Sequence, residues 1–378
     1  MNFKNKSDIF NYALLLSKSN QIDLAISIFK KIYQNYPNDY QSLYNIAKLY
    51  LEKKDYDNAI KYYRYLIISD ETKVQAKFDL SHIYLLNRDL DEGLKLYECR
   101  LDFKEYCKIL PNKYPKKIKK IKNKRIFIYW EQGFGDTINF IRYIRYLENL
   151  SVKIELLIQA PLLSLMKYNF KNITFMENKS YLKSEYDYVF PMLSIPYLLK
   201  LKSFNPLKKY LNVNKSDVKK LKSENDISLE YINVGLCWQG EYKNIKDKER
   251  SFKIEDFFRN LSQLDNKKIK FYSLQKDVRI ENQNITDLGK SFSDFYDTAV
   301  AIKSLDLIVT VDTAVCHLSA ALGAKTFLLL PYSVDWRWGD TLKSDLYSSI
   351  RYFKQVKKDS WQEPFESIVA KLKRFRRK

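Results

Sequence analysis

The 378-residue sequence predicts an α + α/β protein in which helical repeats precede two parallel-sheet α/β halves. Three observations predict it. Small residues and aromatics recur every 34 residues over the first hundred positions, short β-rich runs alternate with helical stretches from Arg125 onward, and that alternation pauses over a Lys-rich stretch before restarting at Ile232. The length agrees with two to three domains at about 150 residues each. An apolar content of 46% with 29% charged residues fits a soluble globular chain and excludes a collagenous or wholly disordered one. The longest apolar region, 307–331, carries Asp312, His317 and Lys325, which argues against a membrane-spanning helix. The short apolar stretch near the N-terminus keeps the repeat register, so the expected location is cytoplasmic.

The repeats come first. Ala13, Ala47 and Ser81 fall one period apart, as do Ala25, Ala59 and Gly93, the aromatics Phe29, Tyr63 and Tyr97, and the acids Asp23, Asp57 and Asp91. Small residues at fixed positions let paired helices approach closely, and the aromatic four residues after the second one fills the groove beside it. Pro37 stands where the second helix of the first unit should stop. The period resembles the tetratricopeptide repeat, with units at 6–39, 40–73 and 74–107 inside a domain spanning 1–110. That resemblance implies a concave surface for a peptide or protein, or an extension of the neighbouring domain.

A basic connector at 111–124 follows, with Pro111, Pro115 and a run of lysines. The next half, 125–228, offers strands at 126–130, 153–159, 172–176 and 186–190, a helix at 137–150, and a polar hinge region at 200–226. The last half, 229–378, offers strands at 232–238, 270–274, 307–311 and 326–330, helices at 254–264, 293–304 and 313–322, and a basic C-terminal helix. In sheets of this kind ligands sit beyond the carboxyl ends of the strands.

Unusual residues fall at those ends. After the first strand comes Gln132-Gly133-Phe134-Gly135-Asp136, where the glycines allow a tight turn, but Ile138 replaces the third glycine of a dinucleotide fingerprint and Asp136 would repel a phosphate. Asp136 is then either a helix cap or a general base for a neutral acceptor. At Asp312-Thr313-Ala314-Val315-Cys316-His317 a strand runs into a helix whose free N–H groups suit an anion, with His317 one turn along; the alternative is an N-cap Asp and a packed His. Trp238-Gln239-Gly240 opens a charged loop ending in Arg250-Ser251, where Arg250 suits a phosphate. In Asp335-Trp336-Arg337-Trp338 core packing with a cation–π contact is the preferred reading. Four cysteines without Cys-x-x-Cys pairing and two histidines suggest neither a metal site nor a disulfide framework.

Together these segments resemble the bacterial tetratricopeptide-repeat glycosyltransferases, whose catalytic part is similar to the heptosyltransferase-like family 9 enzymes. The resemblance implies a GT-B fold, inverting transfer from a nucleotide-activated sugar, no metal and no cofactor beyond that donor. It implies Asp136 as the base and Asp312, Thr313, Ala314 and His317 as holders of the donor phosphates, with Ala314 where that family has Gly. Arg250, Ser251, Trp238 and Gln239 join the donor side, and Gln132, Gly133 and Gly135 form the acceptor-side loop. The absence of Asp-x-Asp at any α/β strand end agrees with metal independence, since Asp55-Tyr56-Asp57 and Asp89-Leu90-Asp91 lie in the repeats.

The net charge of +21 suits an anionic partner or is a solvated surface, and its clearest clusters are eight basic residues in 112–125 and six in 371–378. Peripheral contact with an anionic inner-membrane surface follows from the first of these. Expected partners are a nucleotide-sugar and a protein or glycan acceptor reached through the repeats, with no specific nucleic acid. The alternatives are a non-catalytic repeat scaffold with a degenerate transferase domain and a lipopolysaccharide-core glycosyltransferase.

Overall fold

The computed structural model describes residues 5–68, 73–103, 114–115, 117–150, 152–176, 185–240, 247–261, 264, 268–276, 278, 280 and 284–376. Most of the Pro-containing start of the connector, the end of the third repeat and positions 241–246 of the charged loop after Gly240 lie outside the described residues. The chain forms two compact units, Met1–Lys108 with Asp335–Gly339, and Ile109–Val334 with Asp340–Lys378.

The first unit is built from helices α1 (Lys6–Lys18), α2 (Ile22–Asn35), α3 (Tyr40–Glu52), α4 (Tyr56–Ile68), α5 (Lys73–Leu86) and α6 (Leu90–Tyr97), each packed on its neighbour in sequence. The periodic small residues are the contact points. Ala13, Ala25, Ala47, Ala59 and Ser81 are fully buried, and a Cβ on Gly93 would come within 2.8 Å of the Leu85 side chain. Phe29, Tyr63 and Tyr97 are buried beside them. The turn inside each helix pair also repeats, with Asn20, Lys54 and Arg88 in left-handed backbone at φ 62°, 60° and 67°. That conformation is uncommon for residues with a Cβ, so its recurrence every 34 residues shows that the turn geometry is dictated by the packed helices. In the third pair Arg88 has a further task. Its guanidinium donates to the carbonyls of Leu85 (3.0 Å), Trp336 (2.7 Å) and Arg337 (3.1 Å), while Trp336 lies edge-on to Tyr97 with ring centroids 5.7 Å apart. The Asp335–Gly339 segment thus belongs to the repeat core, and Arg337 stacks on Trp336 at 4.5 Å, as the cation–π reading expected.

In the second unit the first half runs β1 (Arg125–Tyr129), α7 (Phe134–Phe140), a 3-10 turn (Ile141–Tyr143), α8 (Ile144–Glu148), β2 (Lys153–Leu157), α9 (Leu163–Asn169), β3 (Thr174–Met176), β4 (Tyr188–Pro191), α10 (Ile195–Leu198) and α11 (Lys215–Glu224). Its sheet is parallel throughout in the order β3-β2-β1-β4. The second half runs β5 (Ile232–Cys237), α12 (Asp247–Arg250), α13 (Ile254–Leu261), β6 (Ile269–Ser273), β7 (Ile285–Asp287), α14 (Phe295–Ser304), β8 (Leu307–Val311), α15 (Ala314–Ala321), β9 (Thr326–Leu330), β10 (Ile350–Lys354) and α16 (Gln362–Lys373). Its six strands are also all parallel, ordered β10-β9-β8-β5-β6-β7. Central β1 and β8 bury almost every residue, as strands covered by helices on both faces must.

One expectation is corrected. The helix expected at 137–150 begins at Phe134, because Gly133 takes extended backbone (φ −71°, ψ 173°) as its N-cap and Asp136 accepts from the Gly133 N–H, and the 3-10 turn interrupts it. The 200–226 hinge region contains α11, a helix with no buried residue, capped by Asn214 and tied down by the Tyr296 hydroxyl donating to Asp217 (2.8 Å).

Candidate functional site

The two halves of the α/β unit meet where α7 packs against α15. Gly135 makes this approach possible: a Cβ there would lie 2.9 Å from His317 Cδ2 and 3.5 Å from the Ala314 Cα. The motif glycine therefore serves helix–helix contact across the seam, and the first turns of the two motif helices are brought together.

On the α7 side, Asp136 closes a capping bond, its Oδ2 accepting the Gly133 N–H at 3.1 Å. Gln159, beyond β2, ties this turn to its neighbours by meeting Thr137 Oγ1 at 2.8 Å and donating to the Gln132 carbonyl at 3.0 Å. Gln132, Gly135 and Asp136 are half-buried and Gly133 is exposed.

On the other side, Thr313 and not Asp312 is the N-cap of α15, in extended backbone, and its side chain makes no capping bond. The Thr313 hydroxyl turns instead to Thr310 Oγ1 (3.3 Å) and Cys237 Sγ (3.6 Å). The early N–H groups of α15 therefore keep the positive end of the helix dipole without an N-cap side chain on it. Arg250 reaches the same point, donating Nη1 to the Asp312 carbonyl at 2.5 Å and Nε to Asp247 Oδ1 at 3.0 Å. Asp247 is the organiser that sequence reasoning missed. Its carboxylate also accepts the Gly240 N–H (2.9 Å) and the Ser251 hydroxyl (2.8 Å), so it gathers Gly240, Arg250 and Ser251 into one cluster. A Cβ on Gly240 would overlap Asp247 Oδ1 at 2.3 Å, which explains the glycine.

Trp238 and Gln239 are fixed by a second unanticipated residue. Gln275, at the end of β6, accepts both of their backbone N–H groups at 3.0 Å and lies 3.3 Å from Cys237 Sγ. Burial pushes the Cys237 thiol upward, and the neighbouring Thr313 and Thr310 hydroxyls only partly oppose this, so the group is an inert packed thiol.

His317 is buried, and its Nδ1 meets the Tyr347 hydroxyl at 2.9 Å. Behind it lies Arg142, fully buried on the 3-10 turn after α7. It donates to the carbonyls of Asn139 (2.7 Å) and Leu346 (2.9 Å) and to the Asn139 side chain, with the Tyr347, Tyr210 and Tyr143 rings at 4.4, 5.2 and 5.8 Å. Among the described residues no carboxylate pairs with it. A buried arginine met by carbonyls and ring faces reads as a surface residue in sequence, because its partners are scattered from Asn139 to Tyr347.

The structure thus brings Gly135, Asp136, Ala314 and His317 to one seam, and groups Trp238, Gln239, Arg250, Ser251, Asp312 and Thr313 at the ends of β5 and β8. Among the described residues no three His, Cys, Asp or Glu are grouped to hold a metal ion, and no helix is long and apolar enough to cross a membrane.

Family models and solved structures resemble parts of this chain. Family models of the tetratricopeptide repeat match residues 9–39 and 40–67. No curated protein matches the chain. Among solved structures it is similar to the ADP-heptose lipopolysaccharide heptosyltransferase II of E. coli, at 15% identity over 66% of this chain and 97% of that one with a TM-score of 0.48. It is also similar to a family 9 glycosyl transferase of Veillonella parvula, at 13% identity over 68% and 91% with a TM-score of 0.48. A third similarity is to MamA of Desulfovibrio magneticus, at 17% identity over 26% and 55% with a TM-score of 0.24. Residues 9–67 are accordingly tetratricopeptide repeats.

Proposed function

We propose that the α/β unit is a metal-independent, inverting glycosyltransferase that moves a sugar from a nucleotide-activated donor to an acceptor hydroxyl, and that the repeats dock a protein bearing that hydroxyl. The observation that carries this reading is the seam itself, where Gly135, next to Asp136 on α7, packs on the first turn of α15 in the other half, whose N-cap Thr313 makes no capping bond. A carboxylate and an anion-ready helix end on opposite sides of one junction are what such a transfer needs. The donor diphosphate lies at Thr313 and Ala314, with Arg250 beside it and Trp238, Gln239, Ser251 and Asp312 around it. The acceptor enters by Gln132, Gly133 and Gly135. As the acceptor oxygen bonds to the anomeric carbon, the bond from that carbon to the diphosphate oxygen breaks, and Asp136 takes the hydroxyl proton. The charge appearing on the leaving diphosphate is met by the helix dipole and the guanidinium, the task a divalent cation performs elsewhere.

A thermal-shift screen with UDP, GDP, ADP and CMP tests the donor site. A nucleotide that binds only the folded protein adds about 2.7 kcal/mol at about a hundred times its dissociation constant, enough to raise Tm by several degrees. No shift with any of the four favours the scaffold reading instead.

A further inference from the structure

Gln275 carries an amide whose orientation the surrounding chain fixes. It stands at the carboxyl end of β6, is only 6% exposed, and reaches across to the end of the neighbouring strand β5. There its Oε1 accepts the N–H groups of Trp238 and Gln239, both at 3.0 Å, and lies 3.3 Å from the Cys237 thiol. Turning the amide over would set its NH2 group against those same donors, so the oxygen faces inward and the nitrogen outward. The backbone beneath is held as firmly. The Gln275 N–H donates to Ser273 Oγ at 3.1 Å, and a Cβ on Gly289 would overlap the Gln275 carbonyl oxygen. Among the described residues no acceptor meets Nε2, and Nε2 is not one of the nitrogens sealed from solvent without a partner, so its hydrogens open onto the space above the strand ends.

This amide is a neighbour of the α15 N-terminus. The Cys237 thiol lies between them, 3.3 Å from Gln275 Oε1 and 3.6 Å from the Thr313 hydroxyl. Strands β8, β5 and β6 are consecutive in the sheet, so the first N–H groups of α15, Arg250 and the Gln275 amide form a row of donors over three strand ends. Acceptors in that row are in use: Gln275 Oε1 on main-chain N–H groups, Asp247 on Gly240, Arg250 and Ser251, and the Asp312 carbonyl on Arg250. Such a shelf fits a ligand made of acceptors, which an ionised diphosphate is and a hydroxyl-rich sugar ring is not.

We propose that Gln275 is a ligand-binding residue whose Nε2 hydrogens take a phosphate oxygen of a diphosphate seated at the α15 N-terminus beside Arg250. Its amide then has two tasks, bracing the Trp238–Gln239 backbone with one end and holding the anion with the other. The inference rests on the glycosyltransferase reading only for the diphosphate being part of a sugar donor.

Gln275→Glu separates the two tasks. A carboxylate keeps the shape and still accepts the Trp238 and Gln239 N–H groups, but it turns an anionic oxygen toward the ligand in place of the NH2. Without ligand, Tm should stay close to that of the unaltered protein. Affinity for inorganic diphosphate, and for whichever of UDP, GDP and ADP binds, should fall by about 10–100-fold or more in titration calorimetry. Because a charge also acts at a distance, ¹H–¹⁵N NMR of the unaltered full chain supplies a second readout, which holds even where the variant fails to fold. The Gln275 side-chain amide pair, reached from the backbone assignment, should shift when inorganic diphosphate is added. Undiminished diphosphate affinity in Gln275→Glu, an amide pair unmoved by bound diphosphate, or no binding of diphosphate or nucleotide to the unaltered protein each overturns the proposal. Nucleotide binding that ignores Gln275 sinks this inference and leaves the glycosyltransferase reading standing. Diphosphate binding that depends on Gln275, with no nucleotide bound, does the reverse.

Discussion

Gly135→Ala is the most direct probe of the seam between the two α/β halves. The added methyl would stand 2.9 Å from His317 Cδ2, whereas carbon atoms in favourable contact sit about 3.5–4.0 Å apart, so the helices must separate or the ring must move by roughly 0.6–1.1 Å. The ring has little room, being buried and bonded through Nδ1 to Tyr347. Overpacking of this kind costs about 1–3 kcal/mol. Replacing a helical glycine by alanine returns about 0.5–1 kcal/mol, which leaves a net loss of about 1–2 kcal/mol. At about 2–4 °C per kcal/mol for a unit of this size, Tm should fall by about 2–8 °C. Calorimetry of Gly135→Ala, His317→Ala and the double variant closes the cycle, and the alanine at position 135 should be much less costly once the imidazole is gone. A Gly135→Ala protein as stable as the unaltered one, or a cost undiminished in the His317→Ala background, refutes the close-approach account of this glycine.

Asp136→Asn should leave stability nearly unchanged, because the amide oxygen can still accept the Gly133 N–H, while turnover with an active donor falls by about 10²–10⁴; equal turnover removes Asp136 from the mechanism. Arg142→Ala should cost about 3 kcal/mol or more in urea denaturation, since it leaves a cavity and unpaired carbonyl oxygens, whereas Arg142→Met should cost clearly less because no buried carboxylate is stranded. An equal cost for the two would point to a counter-charge. Burial raises the Asp79 carboxyl above the ordinary carboxylate range even though Tyr44 and Gln75 donate to it. The native state therefore holds its proton more tightly than the unfolded chain, and the repeats should lose stability as pH rises through the native value and regain it on acidification. Asp79→Asn should flatten that dependence on the alkaline side of the ordinary carboxylate range, and an identical pH profile for the two proteins contradicts it.

The legible parts of this fold share one physical trait, which is that burial leaves a periodic or continuous trace in the chain. The repeats were readable because Ala13, Ala25, Ala47 and Ala59 have no space for anything larger, and strands 307–311 and 326–330 because both sit between covering layers. Edge elements leave no such trace: β7 is three residues long, and β10 exposes Arg351 and half-buries most of its neighbours. Helix α11 buries none of its residues and has only Val218 and Leu221 as apolar positions, so it leaves no such trace either. At the site, the motif residues stood out through glycine and unusual polar pairs at strand ends. Asp247, Gln275, Asn139, Arg142 and Tyr347 did not, because each works through contacts with residues far along the chain, and a buried arginine or glutamine is spelled like a surface one.

The membership of Asp335–Gly339 in the repeat core has a consequence for the order in which the chain can be finished during synthesis. The helices of the third pair emerge early, yet the carbonyls that receive the Arg88 guanidinium and the indole that covers Tyr97 are more than two hundred residues downstream. At ribosomal rates of about 5–20 residues per second, that interval lasts on the order of tens of seconds. Through it the first two pairs can complete their packing, while the third waits with Tyr97 uncovered on that side. The nascent chain should therefore mature from its N-terminus only as far as α4, and the last repeat should gain protease resistance only after Gly339 has left the ribosome.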